Sequence, residues 1–159
     1  MEIERKFLPD PDLLPFRPED YPVHKIEQGY LCTSPVVRVR RDNDDYILTY
    51  KSKGMMIREE YNLPLTEEGY RHLIAKTDGR VIRKNRYVIP LEDGLNLELD
   101  IFDGDLKGLV IAEIEFPDKD AALSYKPPAW LGEDVTLSPL YHNSVLSRME
   151  SPEGKDAAQ

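Results

Sequence analysis

Charged residues recur at every second position through segment after segment of this chain, and that alternation limits what it can fold into. Glu2, Glu4 and Lys6 alternate with Ile3, Arg5 and Phe7. On a β-strand the first three share one face and the second three share the other. The pattern returns at Arg38 and Arg40 around Val39, and at Lys51 and Lys53 around Ser52. Arg58, Glu60 and Asn62 alternate with Glu59, Tyr61 and Leu63, and Lys84 and Arg86 with Asn85 and Tyr87. Glu98 and Asp100 alternate with Leu97, Leu99 and Ile101, and Glu113 and Glu115 with Ile114 and Phe116.

Two folds accommodate such a pattern. In the commoner one the apolar faces fill a barrel and the charged faces meet water. In the other the sheet is turned inside out, so that charged faces line a tunnel and apolar faces pack beneath helices outside. The signs are segregated: cationic pairs occupy the middle segments, acidic pairs the first and the last two. Like charges opposed across strands repel, and a ligand of opposite sign relieves that repulsion. Carboxylates suit hard cations such as Mg2+ or Mn2+, while ammonium and guanidinium groups suit phosphate. Divalent metal with polyphosphate would use both signs. Alternation alone leaves open which face points inward.

Turn residues divide the chain into expected strands at 2–8, 24–33, 36–41, 45–53, 57–63, 80–90, 95–102 and 109–116. Helices are expected from Thr66 to about Lys76, from Asp118 to Tyr125, and from Ser138 or Pro139 to Met149. Residues 10–20 read as a loop or a helical turn. The predicted fold is mainly β within an α+β class: an eight-stranded antiparallel barrel with helices packed outside. One domain is expected over 1–150, followed by a disordered polar tail at 151–159.

A formal net charge of −9 argues against nucleic acid and against an anionic membrane as the partner. No apolar run approaches membrane-spanning length, and the ionic motif begins at residue 2, so a cytoplasmic location is the expectation. Cys32 is the only cysteine, which removes disulfides and zinc–cysteine clusters. His24, His72 and His142 have no metal-ligand spacing and read as surface or capping residues. Oligomeric state is not legible.

Glu2-Ile3-Glu4-Arg5-Lys6 resembles the ExExK signature of the CYTH superfamily, the triphosphate tunnel metalloenzymes. The resemblance continues through Val37-Arg38-Val39-Arg40, Thr49-Tyr50-Lys51-Ser52-Lys53-Gly54 and Arg58-Glu59-Glu60-Tyr61. It extends over Val81 to Tyr87, Leu97 to Phe102 and Ala112 to Phe116, in the family's order. The resemblance implies an eight-stranded β-tunnel, open to a small-molecule triphosphate and to Mg2+ or Mn2+ at one or two sites. It implies metal ligands at Glu2, Glu4, Glu113 and Glu115, with Glu98 and Asp100 as further or water-mediated ligands. It implies a phosphate-gripping lining of Lys6, Arg38, Arg40, Lys51, Lys53, Arg58, Lys84 and Arg86, with Glu60 orienting one of those cations or forming an internal salt bridge. Glu4, Lys6 and Lys84 are the candidate catalytic residues. Gln28 and Tyr30 read as tunnel-mouth or packing residues. The segment Tyr141 to Leu146 resembles the family's C-terminal helix, which implies a plug at one tunnel end with Ser144 within reach of phosphate.

Phosphoryl cleavage needs charge neutralisation, in-line geometry and an activated water. A second metal, or Lys84 or Lys6 with its pKa lowered by neighbouring cations, would serve the last need. Small family members beginning in this way imply hydrolysis of inorganic tripolyphosphate. The alternatives are a class IV-type adenylate cyclase, a thiamine or nucleoside triphosphatase, and a non-enzymatic polyphosphate-binding module.

Overall fold

A computed structural model describes residues 1–147 of the chain. Its ten strands are β1 (Glu2–Leu8), β2 (Val23–Thr33), β3 (Val36–Asp42), β4 (Asp45–Lys51), β5 (Ile57–Arg58), β6 (Glu60–Pro64), β7 (Asp78–Pro90), β8 (Asn96–Asp103), β9 (Val110–Glu115) and β10 (Glu133–Asp134). Three α-helices accompany them: α1 (Glu67–Ile74), α2 (Lys119–Ser124) and α3 (Asn143–Leu146). The strands form one sheet in the order β10-β1-β9-β8-β7-β2-β3-β4-β6, with every pairing antiparallel.

The expected strand at 57–63 is two strands, and this is how the barrel closes. β5 pairs with β1, Glu2 opposite Arg58, whereas β6 pairs with β4, Lys51 opposite Glu60. The chain therefore changes neighbour at Glu59, whose carbonyl accepts from the Ser52 N–H (3.0 Å) and whose N–H donates to Ser52 Oγ (2.9 Å). Gly54 makes the turn into β5 with φ +141°, and a Cβ there would lie 2.3 Å from the Ile57 carbonyl oxygen. The two-residue β10, too short to carry a period, extends the sheet beyond β1.

The apolar face of the sheet points outward. Ile3, Phe7, Leu97, Leu99, Ala112, Ile114 and Phe116 form a core outside the barrel with Ala122 of α2 and with Leu131. Trp130 closes it by packing edge-on against Phe16 at 5.5 Å, which holds the 10–21 segment in place. Arg5, on this outer face, donates to the Ala122 and Tyr125 carbonyls (3.0 and 2.8 Å) and pairs with Asp134 at 2.8 Å. It fastens α2 and β10 to β1, so this member of the opening motif is structural.

Around the barrel, α1 covers β2 to β4. Thr66 caps it by accepting from the Gly69 N–H at 3.0 Å. Its buried Tyr70 packs on Tyr46 at 5.2 Å and donates to Glu27 Oε1 at 2.8 Å. Asp118 caps α2 in the same way through the Ala121 N–H at 2.7 Å. The expected C-terminal helix begins later than its pattern: Pro139 to Tyr141 form a 3-10 turn and α3 begins only after His142. Its continuation to Met149, and the tail at 151–159, lie outside the described residues. No helix among the described residues is long and apolar enough to cross a membrane.

Candidate active site

Side chains on the inner face change character along the barrel axis. Arg40 and Arg38 on β3 are followed by Val36, and Arg86 and Lys84 on β7 by Ile82. Glu98 and Asp100 on β8 lead to Phe102, and Glu113 on β9 is preceded by Ile111. The apolar ends of these series meet Tyr30 and Leu146 in one buried cluster, so α3 stoppers one end of the barrel. Above that floor lies a polar cavity lined by Glu2, Glu4, Lys6, Arg38, Arg40, Lys51, Arg58, Glu60, Arg86, Glu98 and Glu113. His142, Asn143 and Ser144 complete its wall.

Acids and bases pair across this cavity. Lys51 of β4 reaches Glu2 of β1 at 3.0 Å and Glu60 at 3.7 Å. Arg58 stands 3.5 Å from Glu2 and 3.8 Å from Glu4. Lys6 lies between Glu113 (3.8 Å) and Glu4 (4.0 Å). Deeper still, Lys84 binds Asp100 at 2.7 Å with both side chains fully buried. Arg86 grips Asp100 twice, at 2.7 and 2.9 Å, and reaches Glu98 at 3.3 Å. Asp100 is thus committed to two cations.

Two guanidiniums differ from the rest. Arg38 donates to Thr49 Oγ1 at 3.2 Å, and Thr49 in turn donates to Asn62 Oδ1 at 2.6 Å. Arg40 donates through Nε to Gln28 Oε1 at 2.7 Å, and Gln28 donates to the Tyr30 hydroxyl at 3.2 Å. Among the described residues neither has a carboxylate within ion-pair reach. Neutral holders fix their geometry and leave their charge uncompensated. Burial, then Arg38 and Arg86, pull the Arg40 pKa down to about 9, which still leaves it charged at neutral pH.

The carboxylates are perturbed in opposite directions. Burial, reinforced by Glu113, pushes Glu4 up to about 8. Glu113 is itself held well below the usual range: burial opposes this, but Lys6, Arg86 and Lys84 outweigh it, and Glu4 hydrogen-bonds to it. Glu4 therefore keeps its proton while Glu113 is ionised. Glu2 is lowered, burial being overcome by Lys51. Burial takes Lys84 down to about 7, with Asp100 opposing and Arg86 and Arg40 assisting.

These carboxylates suit a divalent cation by chemistry. A buried acid that retains its proton beside an ionised neighbour is a pair of oxygens short of positive charge. Among the described residues no three acids stand ready-made around a metal position, because Glu2 and Glu113 are turned to Lys51 and Lys6.

Four predicted site residues do not line the cavity: Lys84 and Asp100 are buried against each other behind its wall, and two more stand apart. Lys53 is exposed in the turn after β4, and Glu115, opposite Glu4 in register, is exposed at the end of β9; neither lines the cavity. Burial, with Glu2 next, still raises the Glu115 carboxyl. Glu60 does form the internal salt bridge. The trio 142–144 are cavity residues that alternation could not mark, since they lie outside any strand, and Thr49, uncharged and fully buried, holds Arg38 from behind the wall. Asn143 accepts from Lys84 Nζ at 3.1 Å. His142, expected at the surface, is only 7% exposed.

An antiparallel barrel with an ionic interior of both signs and an apolar exterior defines a charged tunnel. The chain belongs to the CYTH domain family, which matches residues 1–144. It is 38% identical over 149 residues to an inorganic triphosphatase of Nitrosomonas europaea, covering 92% of this chain and 96% of the relative. An inorganic triphosphatase of Acetivibrio thermocellus is 40% identical over 152 residues, covering 91% and 92%. A crystal structure of an inorganic triphosphatase superposes with a TM-score of 0.68 at 36% identity, covering 92% of this chain and 94% of that one.

Proposed function

We propose that this chain is a divalent-metal-dependent triphosphatase that cleaves the terminal phosphoryl group of inorganic tripolyphosphate. The cavity lining carries the choice of substrate. Apart from Tyr30 and Val36 its wall is charged or polar, so it offers phosphate oxygens many partners and a nucleobase or thiazolium almost no apolar surface. The two relatives' names support the same substrate.

Arg38 and Arg40 anchor the chain of phosphates, being the cations not already spent on carboxylates. Lys6, Lys51, Arg58 and Arg86 turn toward it when their acids are engaged. Glu2, Glu4 and Glu113 hold Mg2+ or Mn2+, with Glu98 and Glu115 toward the mouth and Asp100 orienting Lys84 and Arg86. When bound, the metal neutralises charge on the phosphates and on the departing diphosphate. Lys84, with a pKa near 7, is poised to take a proton from the attacking water. Lys53 lies outside this arrangement and serves at most during entry.

Phosphate release from tripolyphosphate, ATP and thiamine triphosphate with Mg2+ or Mn2+ tests the reading. Tripolyphosphate should be the best substrate, and chelation should stop turnover. Cyclic AMP formation from ATP would favour the cyclase, and binding without turnover of any of the three would favour a polyphosphate-binding module.

A further inference from the structure

We propose that His142 is a substrate-binding residue whose neutral imidazole donates a hydrogen bond to a phosphate oxygen at the inner end of the bound chain. The inference rests on the triphosphatase reading for the identity of the ligand.

His142 lines the cavity and is buried, yet its Nε2 has no hydrogen-bond partner among the described residues. Buried polar atoms without partners are uncommon and destabilising, and one in a cavity wall points to an absent ligand. The ring is held by a fixed backbone. The His142 carbonyl accepts from the N–H groups of Val145 (3.0 Å) and Leu146 (2.9 Å), and its own N–H donates to the Pro139 carbonyl at 3.4 Å. Leu146 is embedded in the apolar floor, so His142 sits at the inner end of the cavity rather than at its mouth.

Its surroundings select the ligand. Burial, then Lys6 and Arg58, hold its pKa down at about 4, with Lys51 adding to them and Glu113 opposing. The ring is therefore neutral at physiological pH and carries one N–H. A local field set by ammonium and guanidinium groups disfavours a metal ion at this nitrogen and favours an anion's oxygen. A neutral donor there adds a hydrogen bond without adding to the repulsion among cations.

The test is tripolyphosphate binding to the whole protein without divalent metal, measured by calorimetry, together with the imidazole resonances of 15N-histidine-labelled protein. His142→Leu should raise Kd about tenfold or more. Its melting temperature without ligand should be unchanged or higher, since the unpaired nitrogen is gone. His142→Gln, which keeps a donor, should recover most of the affinity. In the wild type the Nε2 proton should shift and become protected from exchange on saturation. Wild-type affinity in a folded His142→Leu variant overturns the proposal. If that variant does not fold, unmoved His142 resonances in the saturated wild type overturn it instead. Hydrolysis by the wild type with no effect of His142→Leu on affinity defeats this inference alone. Weakened binding by the variant of a wild type that never hydrolyses tripolyphosphate defeats the enzymatic reading alone.

Discussion

With its pKa at about 8, Glu4 holds in the folded protein a proton that an unfolded chain releases near pH 4.5. A raised acid contributes stability that is full below pH 4.5 and lost as pH climbs through 8. Glu4→Gln removes that loss. We expect the variant to melt higher than the wild type at pH 8 without metal, to show a flatter stability profile between pH 5 and 8, and to lose metal-dependent turnover. Calorimetry across that range decides it, and an unstabilised variant at pH 8 sinks the account. Lys84 has the opposite sign: a base lowered to about 7 adds stability as pH rises from 7 toward its unfolded value of 10.5. If Lys84 receives the proton of water, kcat/KM should rise through about pH 7, and Lys84→Arg should abolish that limb and cost at least about 100-fold in rate. A pH profile unchanged in Lys84→Arg would assign the proton elsewhere. Arg40→Ala should weaken tripolyphosphate binding by about 1.5–3 kcal/mol, the loss of a charge-assisted contact, read as a Kd ratio.

Closure of the barrel depends on the corner between β4 and β5. Gly54 there combines a positive φ with a backbone oxygen 2.3 Å from any Cβ. Gly54→Ala should cost on the order of 2 kcal/mol, and it should weaken tripolyphosphate binding too, because Lys51 and Arg58 flank the corner. Denaturant midpoints and calorimetric titration measure both, and an Ala variant as stable as the wild type would mean the corner relaxes freely. This corner also marks where sequence reading stopped. Period-two charge survives strand bending, so Glu2, Glu4, Arg38, Arg40, Lys84, Arg86 and Glu113 could be placed on the charged strand faces from their spacing, while the family resemblance implied that those faces point inward. A change of pairing partner leaves no mark on that spacing, so 57–63 looked like one strand when Glu59 divides it. Gln28 and Thr49 are uncharged, so the alternation of charge does not mark them, although they hold the two uncommitted guanidiniums. His142 precedes α3 and Asn143 opens it, and their arrival at the cavity depends on Leu146 finding the floor. Lys53 fitted the period but fell just past the end of β4, where the period no longer has meaning.

Over the whole molecule the same strands carry the ionic interior on one side and the main apolar core on the other. Neither can be lost alone, so the barrel should unfold in one cooperative step with equal calorimetric and van't Hoff enthalpies. Tripolyphosphate at 100 times its Kd should add about 2.7 kcal/mol and raise the melting temperature by roughly 5–10 °C. Two separated transitions would refute the single unit, and no thermal shift at saturation would refute binding to the native barrel. The apolar floor formed by Tyr30, Val36, Ile82, Phe102, Ile111 and Leu146 makes the bore a depth gauge. A linear polyanion can present only a terminus to it, and any surplus length must trail outside the mouth. Among the described residues that floor and α3 close one end, so incoming substrate and departing fragments would use the other. In the proposed reaction a diphosphate that lingers there would block the next substrate, so added diphosphate should inhibit turnover competitively.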